Sequence, residues 1–347
     1  MTTRVHEAVS DVLRRRHLDH RTCYTRVFAR PPEGRLVIEC SIPDVGVEVR
    51  RELGKRLGKD AEAIEHVVLP AGAELPEMTL AVSSVVDVRR DPAHTAELLT
   101  QVIYGEPMAP LKIEGDWYLV RLEDGYVGWV RSWHLKAYSK NELSQYRENA
   151  HHRVTGNVIQ IFESPDEDAL PVTDAVVGTR ILLSSGGKRG WRRVALPDGK
   201  EGFARSSGVG PMPTSRRVYR ERLAATGMRF LGIPYLWGGT TPKGFDCSGL
   251  TQRILQLHGV LIPRDSDLQA RFGRPHRSTG LEELKTGDLL FFGKSSEAIT
   301  HVAMYLSDGL FLHAYGQVRV GALEQGHPLF EAKLFDDLRG TRDPLQD

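Results

Sequence analysis

The 347-residue sequence, with 40% hydrophobic and 26% charged residues, has the composition of a folded globular protein long enough for two to four domains. Its 46 Lys and Arg against 45 Asp and Glu leave a net charge of +1, which excludes a strongly basic surface for a nucleic acid or an anionic membrane. The start lacks the apolar core of a signal peptide, and no apolar run approaches the ~18 residues of a membrane span. The three cysteines form no C-x-x-C pair, which disfavours a disulfide scaffold and fits a reducing, cytoplasmic location.

Residues 1–75 predict a small N-terminal α/β pre-domain. A charged amphipathic helix comes first, followed by the strand-like segment "RLVIECSI" and then by a second helix and a return to strand. The sequence does not indicate a role for this region.

An internal repeat follows. Residues 117–130, "WYLVRLEDGYVGWV", and residues 191–204, "WRRVALPDGKEGFA", align without a gap, and each has the pattern of a hairpin around an Asp-Gly turn. The repeat predicts two small β-barrels, over residues 76–138 and 153–212, joined by a polar connector over 139–152. Two unrelated hairpins within one larger sheet are the alternative.

The two copies resemble bacterial SH3-like domains, in which "DGYVGWV" is a familiar closing hairpin. They differ where the first copy has Tyr126 and the second has Lys200. A tyrosine in one copy alone indicates that the first barrel faces something that the second does not.

The last domain, residues 213–347, contains a cysteine at a predicted helix start. Asp246 is a suitable N-cap for the segment "DCSGLTQRILQLHGV", which places Cys247 in the first turn. Unpaired N–H groups and the helix dipole stabilise a negative sulfur there, so we expect a lowered pKa and a nucleophilic thiolate.

Two histidines flank a predicted hairpin further along the chain. If Ser307, Asp308 and Gly309 form a three-residue loop, His301 and His313 lie diagonally on one face of the sheet. A two-residue loop would place them on opposite faces.

These residues predict a cysteine nucleophile with a histidine base. His301 would take the thiol proton and His313 would orient the imidazole. Taken singly, a cysteine in an apolar helix is more often a core residue, and a strand histidine is more often structural; the combination favours catalysis. A zinc site formed by Cys247, His301 and His313 is the weaker alternative, because close-spaced ligand pairs are absent from the sequence.

Five segments in order, "PYLWGG…GFDCSGL", "IPRDSDLQ", "KTGDLLFF", "THVAMYL" and "FLHAYG", resemble the NlpC-like family of bacterial cell-wall cysteine peptidases. The resemblance implies a papain-like α+β peptidase domain after two SH3-like barrels, without a metal or other cofactor. It implies Cys247 as nucleophile, His301 as base, His313 as third polar residue and Tyr235 as a hydroxyl near the oxyanion site.

The domain order resembles members that cleave the γ-D-glutamyl-L-diamino acid bond of short murein peptides with a free N-terminal L-alanine. This resemblance implies a recycling enzyme whose partner is a small murein peptide, with no nucleic-acid or membrane partner. The sequence indicates neither the diamino acid nor the oligomeric state. The substrate-binding residues implied are Tyr235, Trp237, Asp246, Ser248, Ser266, Tyr126 and an acid of the loop 89–101, for which Glu97 is preferred over Asp91.

Two other functions stay open at this point. One is a hydrolase or amidase of intact peptidoglycan, which would require export. The other is a wall-peptide-binding protein with an idle last domain, against which the complete Cys247, His301 and His313 set argues.

Overall fold

The computed structural model describes residues 2–31, 34–58, 61–72, 74–213, 218–277 and 281–345. The chain forms two compact units, the first made of residues 1–79, 90–96 and 107–140 and the second of residues 80–89, 97–106 and 141–347. Among the described residues, no helix is both long and apolar enough to cross a bilayer. The predicted domain boundaries stay predictions.

The N-terminal region is a three-stranded sheet with two helices. Strands β1 and β2 pair antiparallel, and β2 and β3 pair parallel. Val45, Val49 and Leu53 are buried at helical spacing on one face of α2, which explains why this segment packs as an amphipathic helix. The elements are α1 Thr2–Arg15, β1 Thr25–Arg30, β2 Arg35–Cys40, α2 Pro43–Leu57, a 3₁₀ turn Ala61–Ala63, and β3 Glu65–Val68.

Seven strands follow over the region predicted as the first barrel. Strands β7, β8 and β9 form consecutive antiparallel pairs, and β5 pairs antiparallel with β6. The elements are β4 Met78–Ala81, β5 Val85–Arg89, β6 Leu98–Ile103, β7 Pro107–Glu114, β8 Trp117–Arg121, β9 Val127–Arg131, a 3₁₀ turn Ser132–His134, and β10 Leu135–Tyr138.

The region predicted as the second barrel begins after helix α3, Lys140–Asn149. Its strands run in the order β13-β12-β16-β15-β14-β11-β17 around a core that includes Ile161, Ile181 and Val194. The elements are β11 His152–Val154, β12 Val158–Phe162, β13 Pro171–Val176, β14 Arg180–Ser184, β15 Trp191–Ala195, β16 Glu201–Arg205, a 3₁₀ turn Ser206–Gly208, and β17 Val209–Pro211.

The sequence repeat is also a repeat of turn geometry. In the β8–β9 hairpin, Asp124 Oδ1 accepts a hydrogen bond from the Tyr126 N–H at 3.0 Å, and Gly125 has φ +87°. In the β15–β16 hairpin, Asp198 Oδ1 accepts from the Lys200 N–H at 3.0 Å, and Gly199 has φ +89°. Each turn needs aspartate to hold the backbone and glycine to adopt a positive φ, so the predicted Asp-Gly hairpins are confirmed.

The last region packs helices against a six-stranded sheet of order β20-β25-β21-β22-β23-β24. Leu250 and Ile254 of α5 share a core with Phe291, Val302 and Leu312 of the sheet. This arrangement confirms the predicted α+β class. The elements are α4 Arg220–Met228, β18 Thr240–Thr241, β19 Gly244–Phe245, α5 Cys247–Leu257, α6 Ser266–Gln269, β20 Arg274–Pro275, a 3₁₀ turn Leu281–Glu283, β21 Leu289–Gly293, β22 Ile299–Tyr305, β23 Leu310–Tyr315, β24 Gln317–Ala322, α7 Ala332–Asp337, and β25 Leu338–Asp343.

Candidate active site

Cys247 is the first residue of helix α5, as predicted from its N-cap. Asp246 Oδ1 accepts a hydrogen bond from the Gly249 N–H at 2.7 Å, which satisfies one of the unpaired donors of the first turn. Gly249 lies so close to the Gly239 carbonyl that a Cβ atom would clash with it. The motif "DCSG" therefore supplies a cap, a thiol and a close backbone approach in four consecutive residues.

The two histidines lie on adjacent strands in the predicted register. Tyr305 pairs with Phe311, and the Leu306 N–H donates to the Leu310 carbonyl at 2.9 Å, so residues 307–309 form the three-residue loop. His301 Nε2 lies 2.9 Å from His313 Nδ1. The prediction that the histidines share one face and contact each other is confirmed.

A carboxylate that the sequence analysis missed continues this chain. Glu331 Oε1 lies 3.1 Å from His313 Nε2, and Glu331 Oε2 accepts from Arg319 Nη2 at 2.9 Å. An ionised carboxylate only accepts hydrogen bonds, so His313 carries its proton on Nε2 and accepts at Nδ1 from His301 Nε2–H. Nδ1 of His301 is then left with a lone pair that can accept a proton.

Burial keeps both imidazoles neutral. It lowers the pKa of His301 to about 4, with a smaller effect in the same direction from the Arg319 charge. It also lowers the pKa of His313 to about 3, where His301 and Arg319 act in the same direction. At neutral pH, His301 is therefore able to accept a proton.

The predicted lowering of the Cys247 pKa is wrong. Burial raises the pKa of this thiol to about 12, and the negative charge of Asp246 adds to the effect. Backbone N–H groups of Val302 and Ser248 and the charge of Arg264 act in the opposite direction but are outweighed. The resting thiol is therefore neutral at pH 7, and its sulfur becomes a nucleophile only when a base removes its proton.

Asp246 is the centre of a buried polar network. Its Oδ2 accepts from Arg264 Nη2 at 2.6 Å and from the Gly238 N–H at 2.9 Å. Ser248 Oγ accepts from Arg264 Nη1 at 2.8 Å. These bonds orient the start of α5. Arg264 lies in the segment "IPRDSDLQ", but the sequence did not indicate that its side chain contacts Asp246. The predicted roles of Asp246 and Ser248 in substrate binding stay predictions.

Two other predicted substrate residues contact each other. Trp237 is 63% exposed, and its Nε1–H donates to Glu97 Oε1 at 2.9 Å. The next residue, Gly238, is bound to Asp246, so this tryptophan–carboxylate pair is anchored close to the start of α5.

Two further predicted substrate residues lie elsewhere. Ser266 is partly buried at the start of α6, and Tyr126 is buried in the first unit. Contacts of either with substrate stay predictions.

A cavity of about 490 Å³ opens beside Cys247 and His301. The ends of β21, β22 and β23 form part of its wall, and α7 with the residue before it forms another part. The lining residues are Tyr235, Cys247, Phe292, Gly293, Thr300, His301, Tyr315, Gly316, Glu331, Lys333, Leu334 and Asp337.

Comparison with known proteins agrees with this geometry. Residues 232–339 match the NlpC/P60 family, and residues 88–135 match the bacterial dipeptidyl-peptidase Sh3 domain. A gamma-D-glutamyl-L-lysine dipeptidyl-peptidase of Bacillus cereus is 34% identical over 63% of this chain and 67% of that protein. The protein of the same name from Bacillus subtilis is 31% identical, over 62% of this chain and 71% of its own length. The chain belongs to the NlpC/P60 family.

Further similarities extend beyond the peptidase region. Dipeptidyl-peptidase 6 of Lysinibacillus sphaericus is 27% identical over 74% of this chain and 95% of that protein. The crystal structure of an NlpC/P60 family protein from Bacillus cereus, 25% identical, superposes with a TM-score of 0.64 over 77% of this chain and 99% of that one. The resemblance to the NlpC-like cysteine peptidases is therefore confirmed, and this chain is a cysteine peptidase.

The zinc alternative lacks a ligand cluster in the structure. Across the described ranges, no group of three or more His, Cys, Asp or Glu side chains is arranged to hold a metal ion. Cys247, His301 and His313 lie within residues 232–339, which match the NlpC/P60 family, and their catalytic roles stay predictions.

Proposed function

We propose that this NlpC/P60 peptidase hydrolyses the γ-D-glutamyl-L-diamino acid bond of short murein peptides with a free N-terminal L-alanine. The contact between His301 and His313, beside a cavity that also includes Cys247, is the observation that carries the proposed chemistry. The relatives named gamma-D-glutamyl-L-lysine dipeptidyl-peptidase support the choice of bond.

The reaction begins with proton transfer from the Cys247 thiol to Nδ1 of His301. The sulfur attacks the γ-carbonyl carbon, and the negative oxygen is stabilised by the Cys247 N–H in the first turn of α5 and by the Tyr235 hydroxyl. His301 then gives its proton to the departing amine, which leaves a thioester on Cys247. Water, deprotonated by the same imidazole, hydrolyses the thioester and restores the thiol.

The free N-terminus is proposed to bind at the Trp237–Glu97 pair. An exposed indole face attracts a cation, and a carboxylate beside it supplies the opposite charge. A peptide still linked to glycan offers a neutral amide at this position, which has no positive charge to interact with Glu97. Short peptides of this kind are substrates for recycling, which would place the enzyme in the cytoplasm.

The test is a comparison of free and N-acetylated L-Ala-γ-D-Glu-L-Lys, with the products identified by mass. We expect L-Ala-D-Glu and lysine from the free peptide, and kcat/KM lower by about tenfold or more for the acetylated one. Glu97→Gln should reduce this difference, while the exposed control Glu282→Gln should retain it. Equal cleavage of both peptides would contradict the N-terminal specificity, and preferential digestion of intact peptidoglycan would favour the alternative wall hydrolase.

A further inference from the structure

The cavity beside His301 lies on the leaving-group side of the site. The imidazole that accepts the thiol proton must later donate it to the departing nitrogen, so that nitrogen has to lie within hydrogen-bond reach of His301. His301 lines the cavity, whereas the Trp237–Glu97 pair does not. On the proposed function, the departing nitrogen is the α-amine of the diamino acid, and the cavity receives this residue.

Helix α7 brings charged groups of both signs to the cavity. Lys333 Nζ lies 2.6 Å from Asp337 Oδ2, one turn apart on α7, and both residues line the cavity. Arg339 Nη2 lies 3.7 Å from Asp337 Oδ1. Asp337 therefore has two positively charged neighbours, of which Lys333 lines the cavity and can bind a ligand that carries a carboxylate.

The other charged lining residue is already neutralised. The Glu331 carboxylate is bound by Arg319 and by His313. Lys333, by contrast, has an 85% exposed side chain, and an exposed ion pair within a helix is weak enough to exchange partners at small cost. Phe292 and Leu334 also line the cavity and supply apolar surface for a methylene chain.

These features distinguish the two common diamino acids. The lysine side chain ends in an ammonium alone, which would meet Asp337 but also the charges of Lys333 and Arg339. The side chain of 2,6-diaminopimelate ends in a zwitterion, with an ammonium for Asp337 and a carboxylate for Lys333. We infer, on the basis of the proposed function, that Lys333 and Asp337 form a subsite for this zwitterionic end and make diaminopimelate peptides the preferred substrates.

The test uses three tripeptides, L-Ala-γ-D-Glu followed by meso-diaminopimelate, by its amide at the distal carboxylate, or by L-lysine. We expect kcat/KM for the diaminopimelate peptide to exceed that of the other two by about tenfold, a difference of about 1.4 kcal/mol. Lys333→Gln should lower the ratio of kcat/KM for the diaminopimelate peptide to kcat/KM for its amide towards one. Asp337→Asn should slow all three peptides, because each carries the distal ammonium.

Lys188→Gln is the matched control, since it removes an exposed lysine charge in the loop between β14 and β15. This variant should retain the wild-type ratio of kcat/KM between the diaminopimelate peptide and its amide. Thermal melting should show that all variants are folded. Equal kcat/KM for the diaminopimelate peptide and its amide, or an unchanged ratio in Lys333→Gln, would overturn the subsite while leaving the proposed function intact. Failure to cleave any of the three peptides would overturn both.

Discussion

Nε2 of the buried His313 lies 3.1 Å from Oε1 of Glu331, and through this contact a carboxylate determines the proton positions on both histidines. The sequence predicts His313 as the third member of the catalytic set and does not indicate a carboxylate behind it. Glu331, which also accepts a hydrogen bond from Arg319, extends the hydrogen-bonded chain from His301 through His313 to a carboxylate.

Removal of this carboxylate should slow the chemical step. A hydrogen bond to a charged group contributes about 1.5–3 kcal/mol, so Glu331→Ala should lower kcat by about 10- to 100-fold. Glu331→Gln retains an acceptor oxygen without the charge, so its kcat should lie between the values for Glu331→Ala and wild type. The exposed Glu297→Gln is the control. Steady-state kinetics across pH provide the measurement, and a wild-type kcat in Glu331→Ala would show that the contact does not act in catalysis.

In the profile of kcat/KM against pH, the acid limb should lie at an unusually low pH. His301 acts as a base only when neutral, and burial lowers its pKa to about 4. The value of kcat/KM should therefore stay high at pH 5–6 and fall as the pH decreases through about 4, rather than through the ordinary value of about 6.5. The profile should be measured with enzyme that regains full activity after return to pH 7. An acid limb near pH 6.5 would contradict a buried, neutral His301.

The pH dependence of the alkylation rate of Cys247 should show its raised pKa. Because burial raises this pKa to about 12, the rate of modification by iodoacetamide should be low at pH 7 and increase without a plateau up to pH 10. Peptide mapping by mass separates Cys247 from Cys23 and Cys40. A plateau near pH 6–7 would instead indicate the preformed thiolate that the helix N-terminus alone suggested.

The buried ion pair behind the nucleophile should matter for stability. Arg264 is 1% exposed and bonded to both oxygens of Asp246. Arg264→Met leaves the carboxylate without its buried counter-charge and should lower the free energy of unfolding by about 3–5 kcal/mol. Urea denaturation measures the change, and adding Asp246→Asn should recover part of it. An unchanged free energy in the single variant would show that the pair is not a stabilising feature.

The residues that could be predicted from the sequence are those with local signals. The Asp246 cap and the three-residue loop before Leu310 follow from short patterns, and together they position Cys247, His301 and His313. Two kinds of feature could not be predicted. Glu331 reaches the site through tertiary packing from a segment without a motif. The bonds from Arg264 to Asp246 and Ser248 depend on packing that the segment "IPRDSDLQ" does not indicate by itself. The Cys247 pKa depends on how completely the thiol is buried and on its distance from Asp246, and the helix position alone gave the wrong sign.

The most direct test of the account is the turnover of a free stem tripeptide by wild type and by Cys247→Ser, with products read by mass and folding checked by thermal melting. Wild type should release L-Ala-D-Glu and the diamino acid. The serine variant, with an unchanged Tm, should release neither, because a hydroxyl is a far poorer nucleophile than a thiol. Cleavage at comparable rates by both proteins would contradict the assignment of Cys247 as the nucleophile.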